Sequence, residues 1–328
     1  MRGLDYRWQQ RHTSVDARAR NGNGTFDRME TKYKTIREKL SEIELTHENH
    51  IQLMAALVAD SQVLLPSKPT LMEVGTKIFR ARAHSNSSDR FSHGHELSFN
   101  PDPKKVRINR ANRKEFPVFY GAVSAPEMHH GWHIANAEVG QVPPPDVQTF
   151  TTGVWEVNKP IELMPLVVRR EQAEKMSYAM RMHEALMEQI NSIPESFRKR
   201  SLELLTVIGD EFTKPVKDDK DYLIASAFAH HIYNRGFQGI SYPSVANDFL
   251  AFNVAILPEV VKTHMNLIGA QITQIQKVEC PRHGIEYATP HYEFMRIHTG
   301  EPFRWEPLEL RLSQQPCTRR QLPWISHP

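Results

Sequence analysis

The sequence predicts an α+β fold, and three observations carry that expectation. Short apolar segments rich in aromatic and β-branched residues come first, a block of helical periodicity follows, and strand-like segments then return. Strands alternating one by one with helices would instead indicate a doubly wound sheet. With 328 residues, 40% of them hydrophobic, the chain can bury a sizeable core, as one large domain with extensions or as two domains.

Taken in order, residues 1–25 are polar and punctuated by Gly and Asn, so they are expected to be poorly ordered. From Arg28 to Asp60 the pattern is helical. Met29, Tyr33, Ile36, Leu40 and Ile43 form one stripe, and the polar Thr46–His50 segment divides the run. Two heptads are too few for a coiled coil, so the stripe reads as core packing. Pro66-Ser67-Lys68-Pro69 reads as a linker. Strands are expected at 77–82, 116–121, 149–157 and 163–168. The polar stretch 84–115 is too long for an idle connection and reads as a binding loop on a rigid frame. Met176, Ala179, Met180, Leu186 and Ile190 then mark a helix that Pro194 ends, another begins near Glu195, and Asp218-Asp219 caps a third at 222–234. The next stretch, GFQGISYPSVAN (236–247), reads as a turn, a short strand and a break. A strand at 253–257 follows, then strand-like runs at 271–278, 291–297 and 303–310.

Composition excludes several classes. A net charge of +3 is too weak a bias to point to nucleic acid. No run of about 18 apolar residues is present, so no membrane-spanning helix is expected. The first 24 residues carry five arginines against two aspartates but no apolar region of a secretory signal. Two cysteines, Cys280 and Cys317, give no disulfide scaffold and fit a reducing cytoplasm. The motifs GxxxxGK, GxGxxG, GxSxG and HExxH are absent. His129-His130-x-x-His133 lacks a carboxylate or cysteine at ligand spacing, and Cys280 and His283 form an incomplete zinc pattern, so no metal is expected. His230-His231 sits beside an apolar helix face and reads as a packed or solvated pair.

The informative residues are scattered: Arg80, Arg110, Tyr120, Glu138 and Ser244. Singly, each has a plain reading as a solvated strand or loop arginine, a core tyrosine, a surface carboxylate and a turn serine. Their segments are IFRAR (78–82), INRANRKEFPVFYGA (108–122), ANAEVG (135–140), TGVWEVNKPIEL (152–163) and DYLIASAFAHHIYNRGFQGISYPSVANDFLAFNVAIL (221–257). In this order the segments resemble the RES domain family, named for dispersed Arg, Glu and Ser. The resemblance covers about 72–257, leaving 1–65 as an N-terminal arm with a helical extension and 258–328 as a β-rich C-terminal extension.

The resemblance implies an ADP-ribosyltransferase-like mixed sheet and an activity on NAD, as in the toxins of bacterial toxin–antitoxin pairs that hydrolyse or phosphorolyse it. A protein antitoxin is the partner so implied. The expected catalytic residues are Glu138, Ser244 and Tyr120. The expected NAD-binding residues are Arg80, Arg82, Arg110, Asn112 and Tyr242. Guanidinium forks suit a diphosphate, and a carboxylate suits the cationic centre formed when nicotinamide leaves. Tyr120 offers a flat face and a hydroxyl, and Ser244 a hydrogen bond to a ribose hydroxyl or the nicotinamide amide. The strand would stop at Pro243 so that Ser244 faces the pocket. The Tyr–Glu interval is longer than is usual in the family, and Glu127 inside it rivals Glu138; the small neighbours of Glu138 fit better. Three other readings stay open: an ADP-ribosyltransferase acting on a macromolecule, a non-catalytic binding module, and an RNA-binding protein using the basic arm.

Overall fold

The computed structural model describes residues 47–60, 63–85, 90–123, 131–139, 147–246, 251–280, 284–296 and 305–307. Helix α1 is His47–Asp60, followed by strands β1 Thr70–Met72, β2 Lys77–Ala83 and β3 Phe119–Val123. Helix α2, Gly131–Val139, precedes β4 Val147–Val157 and β5 Ile161–Pro165. Four helices come next: α3 Arg170–Ala173, α4 Ser177–Ser192, α5 Glu195–Thr213 and α6 Leu223–Asn234. Strands β6 Gly239–Pro243 and β7 Phe252–Ile256, helix α7 Pro258–His264, and strands β8 Met265–Cys280, β9 Gly284–Arg296 and β10 Glu306–Pro307 complete the order.

Among the described residues all ten strands form one sheet, in the order β1-β5-β6-β7-β3-β2-β4-β8-β9-β10. Only β5 and β6 run parallel; the other neighbours are antiparallel. A parallel pair needs a long crossover, and α3–α6 supply it. The expected α+β class with a mixed sheet therefore holds. The sequence reading placed no helix at α2 or α7. Both are too short for apolar periodicity to separate helix from strand, and they are helical because tertiary packing seats them on the sheet. The expected helix over residues 28–46 lies outside the described residues.

Strand alternation sorts the core. Ile78, Phe119, Trp155, Val254 and Ile256 point to one face, where Val260 and Val261 of α7 cover them. On the other face, Ile240, Tyr242 and Ala255 pack under Leu186 of α4, Leu205, Ile208 and Phe212 of α5, and Phe228 and Ile232 of α6. Phe79, Ala81, Ala122 and Val154 share that second face but pack under Trp132, Ile134 and Ala135 of α2. Two separate helical coverings thus sit on one sheet face, with a gap between them.

The stretch 236–247 explains itself locally. Gly236 takes φ +92 just past α6. Its N–H bonds Tyr233 O at 3.0 Å, and Phe237 N–H reaches Ile232 O at 3.4 Å, the paired bonds of a Schellman stop. Gly239 then enters the sheet between β5 and β7, where an added Cβ would lie 2.6 Å from Ala255 O and 2.7 Å from Leu163 Cδ2. Gly239→Ala is expected to lower stability by about 1–3 kcal/mol, because backbone on one side and a core leucine on the other leave no room. A denaturant midpoint equal to wild type would show that the strands can part without cost.

Candidate active site

Arg80 and Arg82 leave β2 on the face opposite Ala81. Arg80 Nε donates to Ser98 O at 3.0 Å and Arg82 Nη2 to the same oxygen at 3.1 Å. The β2–β3 ladder pairs only Ile78 with Val123 and Phe79 with Ala122. Where it stops, Arg80 Nη1 donates to Tyr120 O at 2.6 Å, so a guanidinium stands in for the missing ladder bond. The cation also lies 5.3 Å from the Phe119 ring centroid. Burial, with repulsion from Arg82 adding to it, pulls the Arg80 pKa down to about 9, so the group is still cationic at neutral pH. Ser98 follows a 3-10 turn, Gly94–Leu97, inside the long polar stretch. That stretch is therefore ordered partly by the two arginines expected to bind ligand.

The 107–116 loop is built around Asn112, which is 2% exposed. Its Nδ2 donates to Arg107 O at 2.7 Å and Arg113 O at 2.9 Å, and its Oδ1 accepts from Tyr120 OH at 2.8 Å. The Tyr120 oxygen in turn accepts from Ala111 N–H at 2.8 Å. Asn112 thus holds the loop and Tyr120 in place, while burial pushes the Tyr120 pKa well up. Arg110 Nη2 donates to Lys214 O at 2.9 Å and Nη1 to Glu211 O at 3.4 Å, capping the C-terminus of α5. Its guanidinium lies 5.8 Å from the Tyr222 ring. Two of its five N–H groups are used in this way.

Across the gap, Ser244 follows β6 directly and is fully buried. Its N–H bonds Ala251 O at 2.9 Å, and its Oγ donates to Glu138 Oε1. Glu138 occupies the last turn of α2 and is exposed, so the carboxylate stands at the open lip while the serine lies beneath it. Tyr242 is 4% exposed, and its hydroxyl pKa is pushed up by burial first and by the Glu138 charge second, with Arg110 opposing. Tyr242, Tyr222 and Tyr233 act in the same way on Tyr120.

The fold therefore gathers Glu138, Ser244, Tyr242, Tyr120 and Arg110 around the gap on one sheet face. Arg80 and Arg82 root on the other face, and Arg80 meets the site through the Tyr120 carbonyl at the break in the ladder. Sequence reasoning missed Asn253 and Asn136. Asn253 was the first residue of an expected apolar strand, and one polar residue among Phe252, Val254, Ala255 and Ile256 was the available signal. Asn136 is 2% exposed and accepts from Thr152 Oγ1 at 2.8 Å. The rival Glu127, and His129 and His130, lie outside the described residues. Among the described residues no cluster of His, Cys, Asp and Glu suits a metal ion, and no helix is long and apolar enough to cross a membrane.

Fold and gap together define an α+β protein with a carboxylate–serine site on one face of a mixed sheet. The RES domain family model matches residues 77–275 of the 328, and the chain belongs to this family. The family is associated with NAD-related, toxin-like proteins. The match runs past residue 257 into β8, which pairs with β4 along eleven residues, Val147 to Val157. No curated protein matches the chain.

His230 on α6 is the buried titratable group behind the site. It is 4% exposed, 4.4 Å edge-on from Phe116, and has a pKa lowered to about 4 by burial first and Arg113 second. The unfolded chain protonates it near 6.5. Between those values the unfolded state holds more protons, so stability is full above the upper value and falls as pH drops through the window. Lowering pH from 7 to 5 is expected to remove about 2 kcal/mol through this residue. His230→Leu should flatten that part of the denaturant-unfolding profile; an unchanged slope would place the acid sensitivity elsewhere.

Proposed function

We propose that the chain cleaves the nicotinamide–ribose bond of NAD, with water or phosphate as acceptor, on an ADP-ribosyltransferase-like sheet. The observation that carries this reading is the Glu138 carboxylate at the lip of the gap, hydrogen-bonded by the buried Ser244. Leaving nicotinamide takes the C–N bonding pair and departs neutral, so no strong acid is required. Positive charge develops on the ribose, and a fixed carboxylate stabilises that state more than the bound substrate. Water then forms the new C–O bond, giving ADP-ribose, and its proton passes to Glu138 or solvent; phosphate would give the 1″-phosphate instead. Ser244 orients the carboxylate. The N–H groups of Arg110 that do not cap α5 are available for the diphosphate, while Arg82, bonded to Ser98 O on the opposite face, helps to hold the carbonyl that Arg80 also uses. Arg80, Asn112 and Tyr120 preorganise the gap. An enzyme consuming NAD without restraint harms its host, so a protein antitoxin fits the same reading.

The test is incubation of the full chain with NAD, with and without phosphate, and chromatography of the products. Free nicotinamide is expected, with ADP-ribose or its 1″-phosphate naming the acceptor. Glu138→Gln is expected to slow release about 10²–10⁴-fold and Ser244→Ala by a smaller factor. Intact NAD in every tube, or a Glu138→Gln variant as fast as wild type, would defeat the reading. Label appearing on a macromolecule would assign a transferase.

A further inference from the structure

Asn253 lies in the middle of β7, with Tyr242 of β6 and Ala122 of β3 as its cross-strand neighbours. Phe252 and Val254 on either side of it point into the core on the far face. The Asn253 side chain therefore lies on the near face. Tyr242 belongs there to the core under α4–α6, and Ala122 to the core under α2. Asn253 thus forms the floor where the two coverings part. It is 8% exposed. Its backbone is covered by a strand on each side, so the open sliver belongs to the carboxamide. Among the described residues that carboxamide has no hydrogen-bond partner.

A carboxamide this nearly buried and without a protein partner is left to whatever solvent or ligand reaches it. Among the neighbouring polar groups, Asn112 makes three side-chain bonds and Ser244 bonds Glu138, while Asn136 accepts from Thr152 through Oδ1 and leaves its Nδ2 without a partner. An amide left open at the floor of a polar gap is complementary to a ligand that offers one acceptor and one donor side by side. Another carboxamide does so. On the reading above, NAD brings one such group, on the ring whose bond breaks. Ser244 and Asn253 are diagonal neighbours on this face, because Tyr242 pairs with Asn253 and Ser244 N–H bonds Ala251 O. A ring over Asn253 would present its ribose bond toward the Ser244–Glu138 pair.

We propose that Asn253 is the residue that recognises the nicotinamide carboxamide, and so sets both base specificity and the depth at which the ring sits. This inference rests on the NAD reading, and the experiment separates the two. Wild type and Asn253→Ala are each given NAD and its 3-acetylpyridine analogue, in which a methyl ketone keeps the acceptor and removes the donor. The preference for NAD in kcat/KM is expected to fall about ten- to hundredfold in Asn253→Ala relative to wild type, while the intrinsic difference between the leaving groups cancels in that comparison. Asn253→Asp, close in shape, is expected to keep the fold by circular dichroism and to lose most NAD turnover. An unchanged preference in Asn253→Ala, with NAD still cleaved, overturns the assignment and leaves the NAD reading standing. A second readout needs no turnover: the Asn253 side-chain NH2 resonances, identified by their loss in Asn253→Asp, should shift on adding nicotinamide. If NAD is never cleaved but that shift occurs, the carboxamide site stands without the reaction. If neither occurs, both fall.

Discussion

The Arg80 guanidinium is the contact on which the site depends. The β2–β3 ladder ends at Phe79, and without a substitute the Tyr120 carbonyl would face a widening split with no donor. Arg80 supplies one, and with its Nε it also draws in the Ser98 carbonyl from the long polar stretch. A neutral amide can also hold two carbonyls, as Asn112 does nearby. The planar cation spreads its donors over a longer fork, and a charge-assisted bond offsets more of its desolvation than a neutral one. Burial, with Arg82 adding to it, lowers the pKa to about 9, yet the group stays charged at neutral pH, so the bonds persist.

From that point the order spreads along a chain of hydrogen bonds. Tyr120, held by its backbone, presents its hydroxyl to Asn112 and Ala111. Ala111 O accepts from Tyr233 OH of α6 at 3.1 Å. Arg110, one residue earlier, ties the same loop to the end of α5. One wall of the gap is therefore rigid by construction. The other wall is α2, nine residues long, seated on Phe79 and Ala81 through Trp132 and Ala135. At the lip, Ser244 ties this wall to the floor through its bond to Glu138. A polar site formed between two coverings of one sheet face needs no separate domain; it needs only that the coverings do not meet.

Much of this was legible in the residues. The strands at 77–83, 147–157 and 252–256, and the helices from 177 to 234, follow from period and from stop signals, because long apolar stripes bury the same face in any context. The Ser244 break was legible too, since Gly239, Pro243 and Ser244 are local instructions. Arg80 and Arg110 were harder to read. Their residue types suited phosphate, but the pattern could not show that each first closes a backbone defect, one a ladder end and the other a helix end. Those defects exist only after the strands pair. Asn253 was least legible of all, because an asparagine in an apolar strand declares itself only when its neighbours turn out to be the edges of two different cores.

The strands at the end of the family match and beyond it belong to the same argument. Strand β8, within which the match ends, pairs with β4 through the register Thr152↔Gln271, and β9 and β10 extend the sheet outward. Next to β10, Trp305 donates Nε1–H to Phe91 O at 2.9 Å and packs against Leu97 and Phe91. Leu97 O also accepts from Trp155 Nε1 at 3.3 Å, and the Phe91 ring lies 6.0 Å from the Arg82 guanidinium. Leu97 is the residue before Ser98, whose carbonyl holds both arginines. A polar loop of this length has little apolar surface with which to order itself, and two arginines alone would have to hold it against its conformational entropy. Trp305 and Trp155 clamp it from either side. The C-terminal strands thus act on the site indirectly, by fixing the carbonyl that fixes Arg80, and a family domain that ended at β8 would need another means of holding Ser98.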